Sequence, residues 1–134
     1  MSDRLEDKIV ALCGRDPRYA KNAYFFVLDA LEHTMQDRPS VRSSRNSHIG
    51  GRDLLEGIRE VGRERFGPMA KEVFNQWGIL STEDFGQVVF NLISIGLLQR
   101  RPQDSIQDFA DGYDFERVFE QDYRVAAPWQ LGSQ

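Results

Sequence analysis

The sequence of 134 residues contains one cysteine, Cys13, and two histidines, His33 and His48. A single cysteine excludes a disulfide bond within the chain and fits a reducing compartment, so we expect a cytoplasmic protein. The histidines do not lie at the spacing of a metal motif such as HxxxH or HExxH, and glycine-rich phosphate-binding patterns do not occur. No catalytic combination of serine or cysteine with histidine can be argued from so few histidines. These absences predict a protein without a cofactor or a metal, and one that is not an enzyme.

Long apolar runs and proline are also scarce. No run approaches the roughly 18–20 apolar residues that cross a membrane. The charged start MSDRLEDK shows no secretory signal, so we expect no membrane among the partners. Only five prolines, together with 40% apolar residues and nine phenylalanines, argue against disorder over most of the length. We expect one domain over residues 1–125, large enough to bury a core, and a loose tail over residues 126–134.

Basic charge is in deficit, with a formal net charge of −4 and an isoelectric point near 5.2. Domains that bind duplex nucleic acid usually carry a basic face, because much of their affinity comes from neutralised phosphates. Residues 38–65 form the one block with a positive net charge, with seven arginines against four acidic residues. The overall charge therefore disfavours nucleic-acid binding, while this block keeps it open as an alternative.

Apolar residues recur at helical spacing through most of the chain. With capping residues and glycine or proline as start and stop signals, the spacing predicts helices over Asp3–Leu12, Asp16 to about Met35, Arg52–Phe66 and Pro68–Trp77, and further helices that begin near Ser81 and Asp114. The inward positions of these helices predict one buried cluster made of Phe26, Val27, Leu31, Leu55, Ile58, Val73, Trp77, Val89 and Leu92.

Together with the amphipathic segment Pro68–Trp77 before it, the stretch from Trp77 to Phe109 shows the order helix, turn, helix, strand and wing. Leu97–Arg101 is short and begins apolar, which favours an edge strand. Ile106–Phe109 could pair with it across the turn Pro102–Ser105, and His48–Gly50 could add a third strand. The sequence therefore predicts a mainly α fold, a helical domain with a winged-helix-like unit and a short β-hairpin wing.

The polar segment Gln36–Ser47 contains one proline, four serines and three arginines. It can be a solvated loop, or it can bind phosphate or an acidic partner, because arginine makes bidentate contacts with anions. His48 precedes Gly50-Gly51 at a predicted helix start, where backbone N–H groups can also meet an anion. Together with two arginines of the predicted wing, the candidate partner or anion contacts are Arg38, Arg42, Arg45, His48, Arg100 and Arg101.

The predicted helix after Ser81 is acidic at its start and apolar along its body. Glu83 and Asp84 would repel phosphates, whereas Phe90 and Ile93 widen the apolar surface of the helix. We therefore predict that Phe90 and Ile93 form an interaction patch for a partner protein or for a second copy of the chain.

Three blocks of the sequence resemble a small uncharacterised bacterial family best known from planctomycetes and verrucomicrobia. The blocks are HIGGRDLLEGIRE, FGPMAKEVFNQWGILSTEDFGQVVFNLISIGLL and YDFERVFEQDY, and the similarity covers Tyr19 to Tyr123. Its most specific part is the pattern WGI-x-x-T-x-DFG that begins at Trp77. The resemblance implies a bacterial, cytoplasmic, single-domain protein, and it brings no activity, cofactor or catalytic residue.

Two functions remain at this point. The favoured one is a non-catalytic protein-interaction module, a degenerate winged helix whose second helix faces an unknown protein partner or a second copy. The alternative is a nucleic-acid-binding regulator that uses the arginine-rich segment and the wing in place of that acidic helix. A salt-dependent shift on DNA or RNA separates the two.

Overall fold

The computed structural model describes residues 2–37, 51–98, 109 and 112–121 of the chain. Helices dominate these residues. In chain order the elements are α1 (Ser2–Arg15), α2 (Lys21–Asp37), α3 (Gly51–Phe66), a 3₁₀ turn (Gly67–Met69), α4 (Ala70–Gln76), α5 (Thr82–Ser94) and a π-helical segment (Glu116–Gln121). The expected domain end at residue 125 and the expected tail over 126–134 lie outside the described residues.

Helix α2 lies at the centre of the packing. It contacts α3 most extensively and also contacts α1 and α5, while α3 contacts α4 and the π-helical segment. The sequence explains this arrangement, because α3 places Leu54, Leu55, Ile58 and Val61 on one buried side and leaves its charged residues outside. The buried side chains of all these elements form one hydrophobic core.

Six of the nine residues predicted for the core are buried, namely Phe26, Val27, Leu55, Ile58, Val89 and Leu92. The prediction was wrong in degree for the other three. Leu31 and Trp77 are partly buried and pack against the edge of the core, and Val73 is also only partly buried. Helical spacing identifies the apolar side of each helix, but the neighbouring helices determine how much of that side is covered.

Phe74 of α4 is the hub of the aromatic part of the core. Its ring centroid lies 5.1 Å from that of Phe85, 5.5 Å from that of Phe115 and 5.4 Å from that of Phe119, each in an edge-to-face arrangement. Such pairs stabilise a fold beyond the area that they bury. These contacts attach the short helix α4 to α5 and to the residues around the π-helical segment.

The junction between α1 and α2 differs from the sequence prediction. Helix α1 continues through Gly14 to Arg15, and α2 begins only at Lys21, so Asp16-Pro17 lies in a turn and not in the first turn of α2. The Asp16 carboxylate accepts hydrogen bonds from Arg18 and from Asn91 of α5. The aspartate therefore connects the turn to α5 and does not cap α2.

The described residues contain no β-strand. The predicted β-hairpin wing, and with it the winged-helix-like unit, is therefore wrong, while the mainly α class is confirmed. Leu97 and Leu98, which were to begin the first wing strand, lie in a bend, and Phe109, which was to end the second, lies in a 3₁₀ turn. The rest of the hairpin, residues 99–108, and the third strand, residues 48–50, lie outside the part of the chain that the structure describes.

The physical reason is the way in which α5 ends. Gly96 adopts a positive φ of 81°, its N–H donates to the Ile93 carbonyl, and the Leu97 N–H donates to the Leu92 carbonyl. This pair of bonds is a Schellman motif, in which the residue after the left-handed glycine also makes an apolar contact with the helix. Leu97 and Leu98 accordingly pack against the core, and the apolar pair closes a helix where the sequence suggested an edge strand.

Among the residues that the structure describes, no helix has both the length and the apolar character needed to cross a membrane.

Candidate protein-binding site

The six residues predicted to contact a partner or an anion lie outside the described residues. These are Arg38, Arg42, Arg45, His48, Arg100 and Arg101, and their role stays a prediction. Phe90 and Ile93 of the predicted interaction patch are described, and both are partly buried against the hydrophobic core. The structure thus places them on the margin of the core along α5, and their part in an interface also stays a prediction.

An aromatic cleft lies on the surface between α2, the end of α3 and the end of α4. It has a volume of about 370 Å³ and is lined by Lys21, Asn22, Phe25, Phe26, Asp29, Arg65, Phe66 and Trp77. Phe26 is buried beneath it, whereas Phe25, Phe66 and Trp77 are only partly covered. The cleft therefore offers the faces and edges of several aromatic rings to an incoming molecule.

The rings of the cleft are held by contacts with one another. The Phe26 centroid lies 5.5 Å from that of Trp77 and 5.9 Å from that of Phe66, and the Phe66 and Trp77 rings meet edge to face at 5.8 Å. Phe66 is the last residue of α3, Trp77 directly follows α4, and Phe26 lies within α2. The aromatic surface is thus prearranged and does not need a ligand to assemble it.

A tight turn between α4 and α5 brings Trp77 to the start of α2. The Ala20 N–H donates to the Trp77 carbonyl at 3.0 Å, and Gly78 has a φ of 91° and lies directly against the Arg18 carbonyl. A side chain at Gly78 would overlap that carbonyl and would also strain the backbone. This is the physical role of the Trp-Gly-Ile turn.

A polar network behind the turn fastens α5 to the same region. The Tyr19 hydroxyl donates to Asp84 at 2.6 Å, and the Leu80 N–H donates to the second oxygen of Asp84. Ser81 is the N-cap residue by its extended backbone but makes no side-chain capping bond. Ser81 and Asp84 have the spacing of a capping box, but only Asp84 makes a side-chain bond at this helix start, to the N–H of Leu80 before the N-cap residue.

Burial and these bonds change the acidity of the groups near the turn. Burial, followed by the hydrogen bond to Asp84, raises the pKa of the Tyr19 phenol, so Tyr19 stays a hydrogen-bond donor. The hydrogen bonds from Arg18 hold the pKa of the Asp16 carboxyl well below its ordinary value. Burial raises the pKa of the Cys13 thiol, which disfavours the reactive thiolate.

The charged groups of the aromatic cleft lie at its rim. Arg65 donates to Asp29 at 3.2 Å, and the carbon atom at the centre of its guanidinium lies 5.9 Å from the centroid of the Phe26 ring. Lys21 is 3.4 Å from Glu6 of α1, and both of these side chains are about half exposed. The rim therefore combines two cations with one carboxylate around an aromatic floor.

A second, more polar cleft of about 500 Å³ lies at the start of α5. Its lining includes Lys71, Leu80, Glu83, Tyr113, Asp114 and Glu116. Leu80 is 69% exposed there, while buried Thr82 donates to the Phe109 carbonyl at 2.6 Å and accepts from the Gly112 N–H. These bonds hold the residues before the π-helical segment against α5. Within the described part of the chain, no group of three or more His, Cys, Asp and Glu side chains could hold a metal ion.

The aromatic cleft was missed from the sequence, although a signal for it was present. Between Ala23 and Leu31 every residue of α2 except Asp29 is apolar, which is typical of a helix at the centre of a core. The helix is central, and Phe26 is buried in the core. The neighbouring Phe25 is only partly buried and lines the cleft. Neighbouring aromatic residues in a helix with charged residues one turn away on either side, here Lys21 and Asp29, would have indicated a binding surface.

Comparison with models of known protein families, with curated proteins and with solved structures gives no match.

Proposed function

We propose that this chain is a non-catalytic protein-interaction module whose aromatic cleft takes an apolar side chain of a partner protein. The observation that carries the proposal is the group of three partly covered rings, Phe25, Phe66 and Trp77, around one cleft. Clefts that are lined by aromatic side chains and contain a few polar groups are typical of binding sites.

The chemistry of the cleft supports binding in preference to catalysis. Its polar side chains are Lys21, Asn22, Asp29 and Arg65, and the last two are paired with each other. A nucleophile with an adjacent base, which acyl or phosphoryl transfer needs, is not among these side chains. Aromatic residues at the centre of an interface and charged residues at its rim are the usual composition of protein-binding surfaces.

The size of the cleft supports a side chain or a short peptide as the ligand. A volume of about 370 Å³ lies at the lower end of the range of small ligand pockets, roughly 300–1,000 Å³. One or two large apolar side chains fill such a space, whereas a large cofactor does not. We place the module in the cytoplasm, because its single cysteine forms no disulfide within the chain.

A blocking variant tests the proposal without removing the core aromatic residues. Asn22 is exposed and lines the cleft, so Asn22→Trp should fill it. Glu32, exposed on the same helix but outside the cleft, provides the matched control Glu32→Trp. A library of displayed random peptides, selected on each purified protein, gives the readout.

We expect the wild type and Glu32→Trp to enrich the same peptides, each with a large aromatic or aliphatic residue, and Asn22→Trp to lose them. Circular dichroism should show equal helix content for all three proteins. Equal enrichment on Asn22→Trp would mean that the peptides bind elsewhere, and enrichment on none of the proteins would contradict the proposed function.

A further inference from the structure

We propose that residues 125–134 of this chain occupy the aromatic cleft through Trp129 and Leu131, so that a partner protein must displace this segment in order to bind. The inference rests on the proposed function, because it concerns the same cleft, and it adds how access to that cleft is regulated. It is carried by the composition of the segment, by the balanced charge of the cleft and by the place where the described chain ends.

The segment VAAPWQLGSQ, residues 125–134, contains no charged side chain. Pro128 disfavours helix at the residue before it and fixes its own φ near −65°, so the sequence favours an extended backbone here. In an extended segment, residues two positions apart lie on the same side. We therefore expect Trp129 and Leu131 on one side of the segment and Gln130 on the other.

The cleft has the size and the surface for these two side chains. It measures about 370 Å³ and is lined by three partly covered rings, those of Phe25, Phe66 and Trp77. Aromatic pairs in edge-to-face or offset-stacked arrangements stabilise a contact beyond the area that they bury. The indole of Trp129 thus contacts these rings, and Leu131 fills the space beside it. The tail that the sequence predicts as loose is held in this way at two side chains only.

The charge of the cleft favours an uncharged occupant. At one end Lys21 lies 3.4 Å from Glu6, and at the other Arg65 lies 3.2 Å from Asp29. All four side chains are about half exposed, so the two ends are alike and each cation has its own carboxylate. A charged occupant would gain an ion pair only by breaking one that exists, whereas residues 125–134 require none.

The described chain ends close to the cleft. The π-helical segment, whose last residue is Gln121, contacts the 3₁₀ turn that directly follows Phe66. The Phe74 centroid lies 5.4 Å from that of Phe119 and 6.2 Å from that of Phe66, so one ring separates the π-helical segment from the cleft. Trp129 follows Gln121 by eight residues, which span up to about 26–29 Å when extended. Trp129 therefore reaches the cleft without any movement of the helices.

Attachment to the same chain gives the segment an advantage over a free peptide. A short tether holds a ligand at an effective concentration of about 1 mM. If the intrinsic dissociation constant is about 0.1–1 mM, the segment fills about half to nine tenths of the clefts, and a free peptide binds about two- to tenfold more weakly than to an open cleft. The segment thus excludes weak ligands and yields to a partner of higher affinity.

The first measurement locates Trp129 in the full chain. The sequence contains two tryptophans, so labelling with fluorotryptophan gives two fluorine NMR signals, which Trp129→Phe assigns. Asn22→Tyr fills the cleft without adding a third signal, and Glu32→Tyr is the matched control, exposed on the same helix but outside the cleft. In the wild type and in Glu32→Tyr the Trp129 signal should differ from that of the free labelled peptide VAAPWQLGSQ, and in Asn22→Tyr it should coincide with it.

The second measurement is a competition in which the labelled peptide VAAPWQLGSQ is titrated with each unlabelled protein. The double variant Trp129→Ala and Leu131→Ala opens the cleft, and Gln130→Ala with Ser133→Ala is the control within the same segment. We expect the double variant to bind the peptide about two- to tenfold more tightly than the wild type, and the control to bind it like the wild type.

Several outcomes overturn the inference. A Trp129 signal at the position of the free peptide in the wild type, or a displaced signal that Asn22→Tyr leaves unchanged, excludes the segment from the cleft. If the double variant enriches displayed peptides but does not bind VAAPWQLGSQ, the proposed function stands and this inference fails. If it binds neither, both proposals fail. A displacement of the Trp129 signal that depends on protein concentration would instead identify the segment of a second copy as the occupant.

Discussion

At the scale of single residues, α2 and α3 approach each other closely where a glycine faces a threonine. Thr34 is fully buried, and its hydroxyl donates to the Ala30 carbonyl one turn earlier at 2.8 Å. Gly57 of α3 lies directly against this hydroxyl, with the Ala30 carbonyl 3.3 Å from the position of a β-carbon. Glycine is unfavourable inside a helix, and here the close contact of two helices explains its presence.

A matched pair of glycine substitutions tests this contact. Gly57→Ala places a methyl group on the Thr34 hydroxyl, and we expect a loss of about 1–3 kcal/mol in the free energy of unfolding, as for other overpacked cores. Gly14→Ala, in α1 with no atom within 4 Å of the new methyl group, should be neutral or stabilise by up to about 1 kcal/mol. Urea denaturation followed by circular dichroism measures both changes.

A double variant tests whether the loss of stability in Gly57→Ala comes from its contact with Thr34. Because the overlap at Gly57 involves the Thr34 hydroxyl, Thr34→Ala should recover part of the stability lost in Gly57→Ala. Additive losses in the double variant would contradict the proposed contact, since residues that touch should show a coupling energy.

At the scale of elements, polar side chains fix the angle between the α1–α2 turn and α5. The side-chain amide nitrogen of Asn91 in α5 donates to Asp16 at 2.9 Å and lies 3.0 Å from the Tyr24 hydroxyl. The side-chain oxygen of Asn91 accepts from Gln87 at 3.1 Å. Sequence separation between Asp16 and Asn91 is 75 residues, so these bonds form only in the folded chain. They orient α5 against the α1–α2 turn.

The lowered pKa of Asp16 predicts a specific dependence of stability on pH. Its folded-state pKa lies below that of the unfolded chain, so the unfolded state binds the proton first as the pH falls. The stabilisation is present above the ordinary pKa of about 4 and is lost progressively at lower pH. Asp16→Asn should therefore lower the stability at pH 7 and reduce the slope of the free energy of unfolding between pH 5 and pH 3.

The measurement is urea denaturation at a series of pH values, with Asp7→Asn at an exposed position of α1 as the charge-matched control. If Asp16→Asn and Asp7→Asn alter the pH dependence equally, the hydrogen bonds of Asp16 do not contribute to the linkage between proton binding and folding.

At the scale of the whole molecule, charge separates the proposed function from the alternative that the sequence left open. The net charge of −4 opposes phosphate binding, and the one positive block contains the arginine-rich segment. At the start of α5 the two oxygens of Asp84 accept from Tyr19 and from the Leu80 backbone. These neutral donors do not cancel the charge of the carboxylate, and Glu83 beside it is exposed, so this helix start also opposes phosphate binding.

We predict little binding of duplex or single-stranded nucleic acid near 0.15 M salt. The triple variant Arg38→Ala, Arg42→Ala and Arg45→Ala removes the arginines that would carry such binding. Fluorescence anisotropy over a range of salt concentrations provides the measurement. Tight binding by the wild type, lost in the triple variant with a salt dependence flattened by about 0.9 logarithmic units per phosphate contact on duplex DNA, would favour the nucleic-acid-binding alternative.

The sequence by itself determined that the chain is mainly helical and where most of its helices lie. Repeats such as Leu54, Ile58 and Val61 place apolar residues on one side of a helix, and this periodicity acts locally, so it can be read without a structure. The same holds for the stop at Gly67-Pro68, which depends on backbone conformations available to a few residue types, and for the acidic first turn of α5, which the helix dipole favours.

Only the tertiary structure decided how much each apolar residue is covered and what the helix ends do. Leu97 and Leu98 fit an edge strand or a helix-closing contact equally well in sequence, and the core beside α5 favours the second. The cleft likewise depends on Lys21, Arg65 and Trp77, which three helix ends bring together. Contacts between distant residues have no local pattern, because their energy arises from packing that exists only once the helices have met.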